Sequence, residues 1–217
     1  MFERGNKIVP WNLYRWELEV FSYNKVVGKR TVEEGYKDAK IYVDGGVQDG
    51  LAGGICQISS TLYNAVLLAN LEVVERRNHT FTTSYLPAGK DATVVYGAID
   101  FQFKNSRQYP IKLEASVKNG IAEFKIHGME EEKEYEVRIL PVRTASIPYS
   151  TTYEEDPTLM PGQEKVVQAG HAGYKVTTYK EVRYNGQIVS KDVISSDTYS
   201  PMRTIKKVAP GMIPVAQ

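Results

Sequence analysis

Ile55, Ser59, Leu62, Val66 and Ala69 recur at three- and four-residue steps, the spacing of one buried, largely apolar helix face. That helix should end near Asn70, where Leu71-Glu72-Val73-Val74 begins an extended run. Residues 92–103 alternate instead. Val94, Tyr96 and Ala98 share one face, then Ile99, Phe101 and Phe103 follow in a second phase. The spacing predicts a strand with a bulge at Gly97-Ala98. Pro110 opens another strand through Ile111, Leu113, Ala115 and Val117. Asn119-Gly120 then turns it back into residues 121–126, the strongest short hairpin signal. A cysteine-bearing helix packed on an antiparallel sheet makes residues 1–128 an α+β domain.

Gly128-Met129-Glu130-Glu131-Glu132-Lys133-Glu134 is charged and aperiodic, so residues 129–134 read as a linker. Residues 135–217 have a different character, rich in Val, Thr and Tyr, with glycines spread among them and no helical window. Tyr184-Asn185-Gly186-Gln187-Ile188 marks a second hairpin. So few large apolar residues among so many strand residues predict an elongated all-β domain with little core. Such domains serve more often as spacers or binding modules than as enzymes. The two parts are expected to be separate units.

Composition narrows the function classes. The 217 residues carry 27 Lys and Arg against 26 Asp and Glu, a net charge of +1, which argues against nucleic acid as a partner. One cysteine excludes an internal disulfide framework, and three scattered histidines offer no metal-ligand spacing, so neither metal nor cofactor is expected. No run approaches the eighteen or so apolar residues of a membrane span. Met1-Phe2-Glu3-Arg4-Gly5-Asn6-Lys7 lacks the apolar core of a signal peptide. Oligomeric state is not legible.

The candidate chemistry centres on Cys56, in the first turn of the 55–69 helix behind Gly53-Gly54. A thiol there meets unpaired amides and the positive end of the helix dipole, both of which favour the thiolate. The glycines before it, Gly45, Gly46, Gly50, Gly53 and Gly54, permit a tight approach. No Lys-Ser/Thr follows them, which excludes a nucleotide phosphate loop. His79 lies 23 positions beyond Cys56 and is the favoured base; His127 ends a hairpin strand and His171 falls in the other domain. Asp91 and Asp100 are the two candidates to orient His79 in a Cys–His–Asp arrangement. Gln57 is a candidate oxyanion donor or a helix-surface residue. Gly53, Gly54, Ser59, Tyr63 and Asn64 are the candidate substrate-binding positions. Ser59, Ser60, Thr61 and Asn64 equally suit bonds to backbone carbonyls of the sheet. Arg76, Arg77 and Lys90 either meet a substrate carboxylate or are solvated. Against all of this stands the reading of Cys56 as a small core residue.

Phe21-Ser22-Tyr23-Asn24, Val27-Gly28, Gly35-Tyr36, Gly53-Gly54-Ile55-Cys56-Gln57-Ile58-Ser59-Ser60-Thr61-Leu62-Tyr63-Asn64-Ala65, His79, Asp91-Ala92-Thr93-Val94 and Pro110-Ile111 occur in that order. Together they resemble the VanW domain, a family named after an accessory protein of vancomycin-resistance clusters in Gram-positive bacteria. The resemblance covers roughly the first 128 residues. Two departures stand out. Ala52 replaces the family's usual third glycine, which is expected to be tolerated if the position needs no positive φ. Residues 11–19 replace its Pro-Gly-containing approach. Pro148-Tyr149, Leu159, Gly162, Val167-Gln168-Ala169-Gly170-His171-Ala172-Gly173, Asn185-Gly186 and Gly211 resemble the five-glycine (G-five) domain found in wall hydrolases, surface proteases and adhesins. The two resemblances imply an extracytoplasmic, wall- or surface-attached Gram-positive protein whose partner is peptidoglycan, through its glycan or its peptide. Three roles follow: an accessory binding protein linked to glycopeptide resistance; a cysteine amidase or transpeptidase using Cys56, His79 and Asp91; or a purely architectural surface protein.

Overall fold

The computed structural model describes residues 13–15, 20–43 and 46–214, with only the backbone given for 13–15, 40–43 and 46–49. The segment from Met1 to Lys7, most of residues 11–19, and Gly45 lie outside the described residues. The first part of the chain runs β1 (Leu13–Arg15), β2 (Val20–Ser22), α1 (Tyr23–Val27), β3 (Asp38–Val43), β4 (Gly46–Leu51) and α2 (Ile55–Leu68). It continues through β5 (Glu72–Glu75), β6 (Gln102–Lys104), β7 (Ile111–Lys118) and β8 (Ile121–His127). The second part is β9 (Glu136–Ile147), β10 (Thr151–Glu155), β11 (Glu164–Gln168), β12 (Gly173–Tyr184), β13 (Gln187–Tyr199) and β14 (Thr204–Val208).

Helix α2 organises the first part. Its buried face is Ile55, Ser59, Ser60, Leu62, Tyr63, Val66 and Leu67, and it packs against β5, β8 and β9. The helix stops because Asn70 turns left-handed, at φ 54°. There the Leu71 amide donates to the Val66 carbonyl at 3.1 Å, satisfying the last turn. Around the helix stand two antiparallel three-stranded sheets, β1-β7-β8 and β2-β6-β5, and the β3-β4 ribbon. Phe21 and Phe103, cross-strand partners on β2 and β6, stack at 4.7 Å under Phe101. At both hairpin tips, Asn119-Gly120 and Asn185-Gly186, all four φ are positive, the type I′ geometry that matches strand twist.

The alternation over residues 92–103 does not make one strand. Only β6 and an isolated Val95–Ile99 bridge form. Val94 is buried, whereas Tyr96, expected on the same face, is half-exposed. The backbone there is satisfied by other means. Side chains of α2 take up the Ala92 amide and carbonyl, and residues 95–99 close on themselves through Val95 N to Ile99 O at 2.8 Å and Ile99 N to Val95 O at 2.9 Å. Ala52 also departs from expectation. Its φ of 61° is left-handed, so the position does want the glycine it lacks, at a cost of about 1 kcal/mol. The Lys37 carbonyl accepts the Ala52 amide at 3.0 Å and helps hold this turn.

The second part holds no helix among its described residues. It consists of an antiparallel sheet, β13-β12-β9, and a mixed sheet, β10-β14-β11, in which β10 and β14 run parallel. Residues 129–134 join the halves without helix or strand. The halves are nevertheless not separately packed, and the expectation of independent units is corrected on this point. Val137, Ile139 and Val182 belong to the same buried cluster as Leu62, Val66 and Phe101. The strands of the first part are short, so part of α2 is covered by β9. Polar bonds reinforce the seam: Lys180 Nζ donates to Asn70 Oδ1 at 2.9 Å, and the Ser200 amide to the Thr80 carbonyl at 2.7 Å.

Gly89 is the tightest point of that seam. Its φ is +90°, and a Cβ added there would lie 2.3 Å from Thr178 Oγ1 and 3.2 Å from Pro141 Cβ, both across the seam. Gly89→Ala therefore combines backbone strain with overpacking against the fully buried Thr178. It should lower unfolding free energy by about 3 kcal/mol or more, read from the denaturant midpoint. An unchanged midpoint would show that the halves separate freely here.

Candidate active site

Cys56 sits in the first turn of α2 and is half-buried. Its Sγ lies 3.5 Å from Thr93 Oγ1 and 3.6 Å from the Val94 carbonyl oxygen. The buried serines of the helix fix this arrangement. Ser59 Oγ donates to the Ala92 carbonyl at 2.6 Å, Ser60 Oγ donates to the Cys56 carbonyl at 2.6 Å, and Ser60 Oγ accepts the Ala92 amide at 2.9 Å. Residues 91–94 are thus strung along the start of α2. Ala92 meets the serines, while Thr93 and Val94 meet the thiol.

Asp91 faces the other way, to His79. Its Oδ2 lies 2.6 Å from His79 Nδ1 and accepts the His79 backbone amide at 2.7 Å. With Nδ1 committed to the carboxylate, Nε2 is the nitrogen left for the thiol. Tyr85 packs edge-on to the ring, with its hydroxyl 3.3 Å from Nε2. Only 1% of Asp91 is exposed, and its Oδ1 accepts the Tyr199 hydroxyl and Arg76 Nη2, the latter at 3.2 Å. Arg76 Nε reaches the Asp91 carbonyl at 2.7 Å, and its Nη1 pairs with Asp197 at 2.5 Å. Tyr199 OH also accepts the Gly89 amide, at 2.7 Å.

The electrostatics favour a thiolate–imidazolium pair. Burial is the largest influence on Cys56 and pushes its pKa up. Hydrogen bonds from His79, the Val94 backbone and Thr93, with the His79 charge, outweigh it and hold the thiol below its ordinary value. Burial likewise opposes protonation of His79, yet its bonds to Asp91 and Cys56 raise the pKa to about 9. Burial works against ionisation of Asp91 too, and its bonds to His79 and Tyr199 keep it ionised below the usual carboxylate range.

The other sequence-derived candidates fall elsewhere. Ser59 and Tyr63 are buried, which removes them as substrate contacts. Ser59 ties down Ala92, and the Tyr63 ring packs edge-on to Phe101 with Arg76 across its face. Asn64 Nδ2 is spent on the carbonyls of Ser60 and Lys90, at 2.8 and 2.7 Å. Gln57 is exposed beside Cys56, and Gly53 and Gly54 are half-buried. A Cβ at Gly54 would meet nothing within 4 Å and its φ is −80°, so the tight approach expected there does not occur. Asp100 accepts from Ser22 Oγ and the Asn24 amide, at 2.5 and 2.9 Å, and serves α1 rather than His79. His127 is exposed beside Glu114, and His171 Nδ1 lies 3.3 Å from the Ala172 carbonyl. Arg76 is consumed by two carboxylates and is not free for a substrate. No cluster of metal-ligating side chains occurs among the described residues.

Sequence reasoning missed Thr93, Tyr85, Tyr199 and Asp197. Adjacency to Asp91 was a usable signal for Thr93. Tyr199 lies 108 positions from Asp91, and no local pattern joins them.

Comparison with known proteins divides the chain in the same two parts. The family model described as "VanW like protein" matches residues 16–127, and that described as "G5 domain" matches residues 141–211. A Bacillus subtilis (strain 168) relative, "Uncharacterized protein YoaR", is 52% identical over 97 residues, which make up 45% of this chain and 32% of that protein. The match thus spans about a third of the curated relative's length. Among solved structures, an IgA1 protease G5 domain is 26% identical with a TM-score of 0.26, covering 36% of this chain and 93% of its own. The G5 domain of HP0197 is 22% identical with a TM-score of 0.21, covering 35% and 99%.

Because the thiolate is stabilised by His79, Cys56 should alkylate readily at pH 6, where an ordinary thiol is almost wholly protonated. His79→Ala removes a hydrogen bond and a positive charge that both lower the thiol pKa. The rate-against-pH curve should therefore move to higher pH, with at least a tenfold loss at pH 6. Tyr199→Phe leaves the Gly89 amide unmatched and Asp91 short of a donor. It should cost about 1–3 kcal/mol in the unfolding midpoint. A thiol that reacts only after unfolding would contradict this account of the site.

Proposed function

The chain belongs to the VanW family, whose model covers half of it, and from that premise we propose that it performs acyl transfer on a cell-wall peptide through Cys56, His79 and Asp91. Its VanW and G5 domains suggest a cell-wall-associated protein, and we take its location to be extracytoplasmic, at the wall or attached to the surface. No helix among the described residues is long and apolar enough to cross a membrane. The reading is supported by a half-buried thiol in the first turn of α2, held below its ordinary pKa in part by His79, and by the buried Asp91 carboxylate 2.6 Å from His79 Nδ1.

The chemistry follows from those roles. The Cys56 thiolate attacks the carbonyl carbon of a peptide bond, and the charge on oxygen builds beside the amides at the start of α2. The His79 imidazolium gives its proton to the departing amine as the C–N bond breaks, leaving a thioester on Cys56. Neutral His79 then takes a proton from water, in an amidase, or from the amine of a second peptide, in a transpeptidase. That nucleophile displaces the thiolate, and the imidazolium is restored. Asp91 keeps the proton on Nδ1 throughout. The G5 part holds the protein near wall polymer.

A second reading is an accessory protein that binds wall peptide or glycan, with a glycopeptide-resistance role, and turns nothing over. The limited exposure of Cys56 favours it. The architectural reading is the weakest, since burial alone would push a core thiol's pKa up rather than down.

Incubating the full chain with soluble wall peptides should yield a thioester adduct on Cys56, detected by mass, with release of the amine fragment. Cys56→Ala should abolish both, by at least a thousandfold in turnover, while still being retained on insoluble peptidoglycan. Retention of wild type and variant alike, with no adduct and no turnover, would replace acyl transfer by the binding reading.

A further inference from the structure

Tyr85 is a polar group on the imidazole for which the acyl-transfer steps above have no use. It lies between His79 and Asp91, in a segment that forms neither helix nor strand, and is half-buried. Its ring meets the imidazole edge-on, with centres 6.3 Å apart and planes at 82°, and its hydroxyl lies 3.3 Å from Nε2. With Nδ1 2.6 Å from Asp91, the imidazole is held at both nitrogens.

The two holds differ in kind. An ionised carboxylate only accepts, so Asp91 commits Nδ1 to carrying a proton. A phenol both gives and accepts. Burial, joined by the charges of Cys56 and Asp91, raises the Tyr85 pKa above its ordinary value and outweighs its bonds to Ser60 and Thr83, so the hydroxyl keeps its proton. It therefore suits Nε2 in either state. The His79 pKa of about 9 makes imidazolium the resting form near neutral pH, and its Nε2–H donates to the tyrosine oxygen. Once that proton has left, the tyrosine O–H donates to the bare nitrogen. Asp91, Cys56 and Tyr85 are the titratable groups that face His79, while Arg76 and Tyr199 face the other oxygen of Asp91.

The two halves of the reaction make unequal demands on this hydroxyl. Before acylation the thiolate charge also favours the imidazolium. In the thioester that charge is gone and Nε2 is bare, so the tyrosine hydroxyl is what remains on that nitrogen. At 3.3 Å its bond is weaker than the 2.6 Å bond to Asp91, and it yields when water or an amine arrives.

We propose that Tyr85 is a positioning residue, whose hydroxyl holds Nε2 of His79 after the proton has been given away and so readies the imidazole to activate the nucleophile that releases the acyl group. The thioester stage rests on the acyl-transfer reading; the hold on Nε2 does not.

Tyr85→Phe keeps the ring and removes the hydroxyl. The full chain is used throughout, with thermal midpoints showing that the variant is folded. Nitrogen NMR of isotope-labelled histidine follows His79, its signal identified by its absence in His79→Ala. Its titration should move down by about half a pH unit or more in Tyr85→Phe, because the bond from the charged ring is the stronger of the two that are lost. With p-nitrophenyl acetate as the probe, wild type should release a burst of p-nitrophenol as Cys56 is acylated, then a slower steady rate. Tyr85→Phe should keep the burst rate within about threefold and lower the steady rate at least tenfold. Equal losses in both phases would mark a general structural contribution and overturn the proposal, as would an unchanged steady rate or an unchanged His79 titration. No burst in wild type, with the His79 shift intact, sinks acyl transfer and its thioester stage and leaves the hold on Nε2. A burst with no His79 shift does the reverse.

Discussion

The structure turns on one buried carboxylate. Asp91 is shielded from water, and an unmatched charge in that position would be expelled or neutralised. It stays ionised because donors converge on it from three directions. The His79 amide and ring approach one oxygen, and Arg76 and Tyr199 approach the other. Each donor is in turn held in place. Arg76 is balanced by Asp197, and Tyr199 OH accepts the Gly89 amide. Such a network is worth more complete than partial, since a missing member leaves its neighbours unmatched in a medium of low dielectric.

Two of those members, Asp197 and Tyr199, come from β13, in the half of the chain that resembles a spacer by composition. The G5 part is therefore a structural component of the histidine's support and not a module hung on a loose joint. Movement of that sheet relative to α2 would be felt first at Asp91 and next at the orientation of His79. The shared apolar core around Val137, Ile139 and Val182 makes such movement costly. The second half is thus tied through the shared core to the helix that carries the thiol.

At Cys56 two effects of similar reach oppose each other. Burial disfavours the thiolate, while His79, Thr93 and the Val94 backbone favour it, and the second group wins. The balance depends on residues 92–94 being laid flat along α2 by Ser59 and Ser60. Those serines act through the backbone they fix and not by touching a substrate. A buried polar stripe on an apolar helix is thereby explained without assigning it chemistry.

Much of the fold is local enough to be read from the chain alone. The three- and four-residue period of residues 55–69 required a helix with Cys56 in its first turn, and Asn-Gly pairs required both hairpins, because these depend on side-chain spacing and backbone preferences within a few residues. His79 and Asp91 were identifiable as candidates by residue type and order. Tertiary structure decided the rest. Residues 92–103 alternate like a strand, yet side chains of α2 claim the Ala92 backbone and residues 95–99 close on themselves, because a hydrogen-bond partner is chosen by what packs alongside. The pairing of Asp91 with Tyr199 and the diversion of Arg76 to Asp197 have the same origin. Pattern determines which residues share a face, but the charge or donor opposite that face comes from distant chain brought there by burial of the common core.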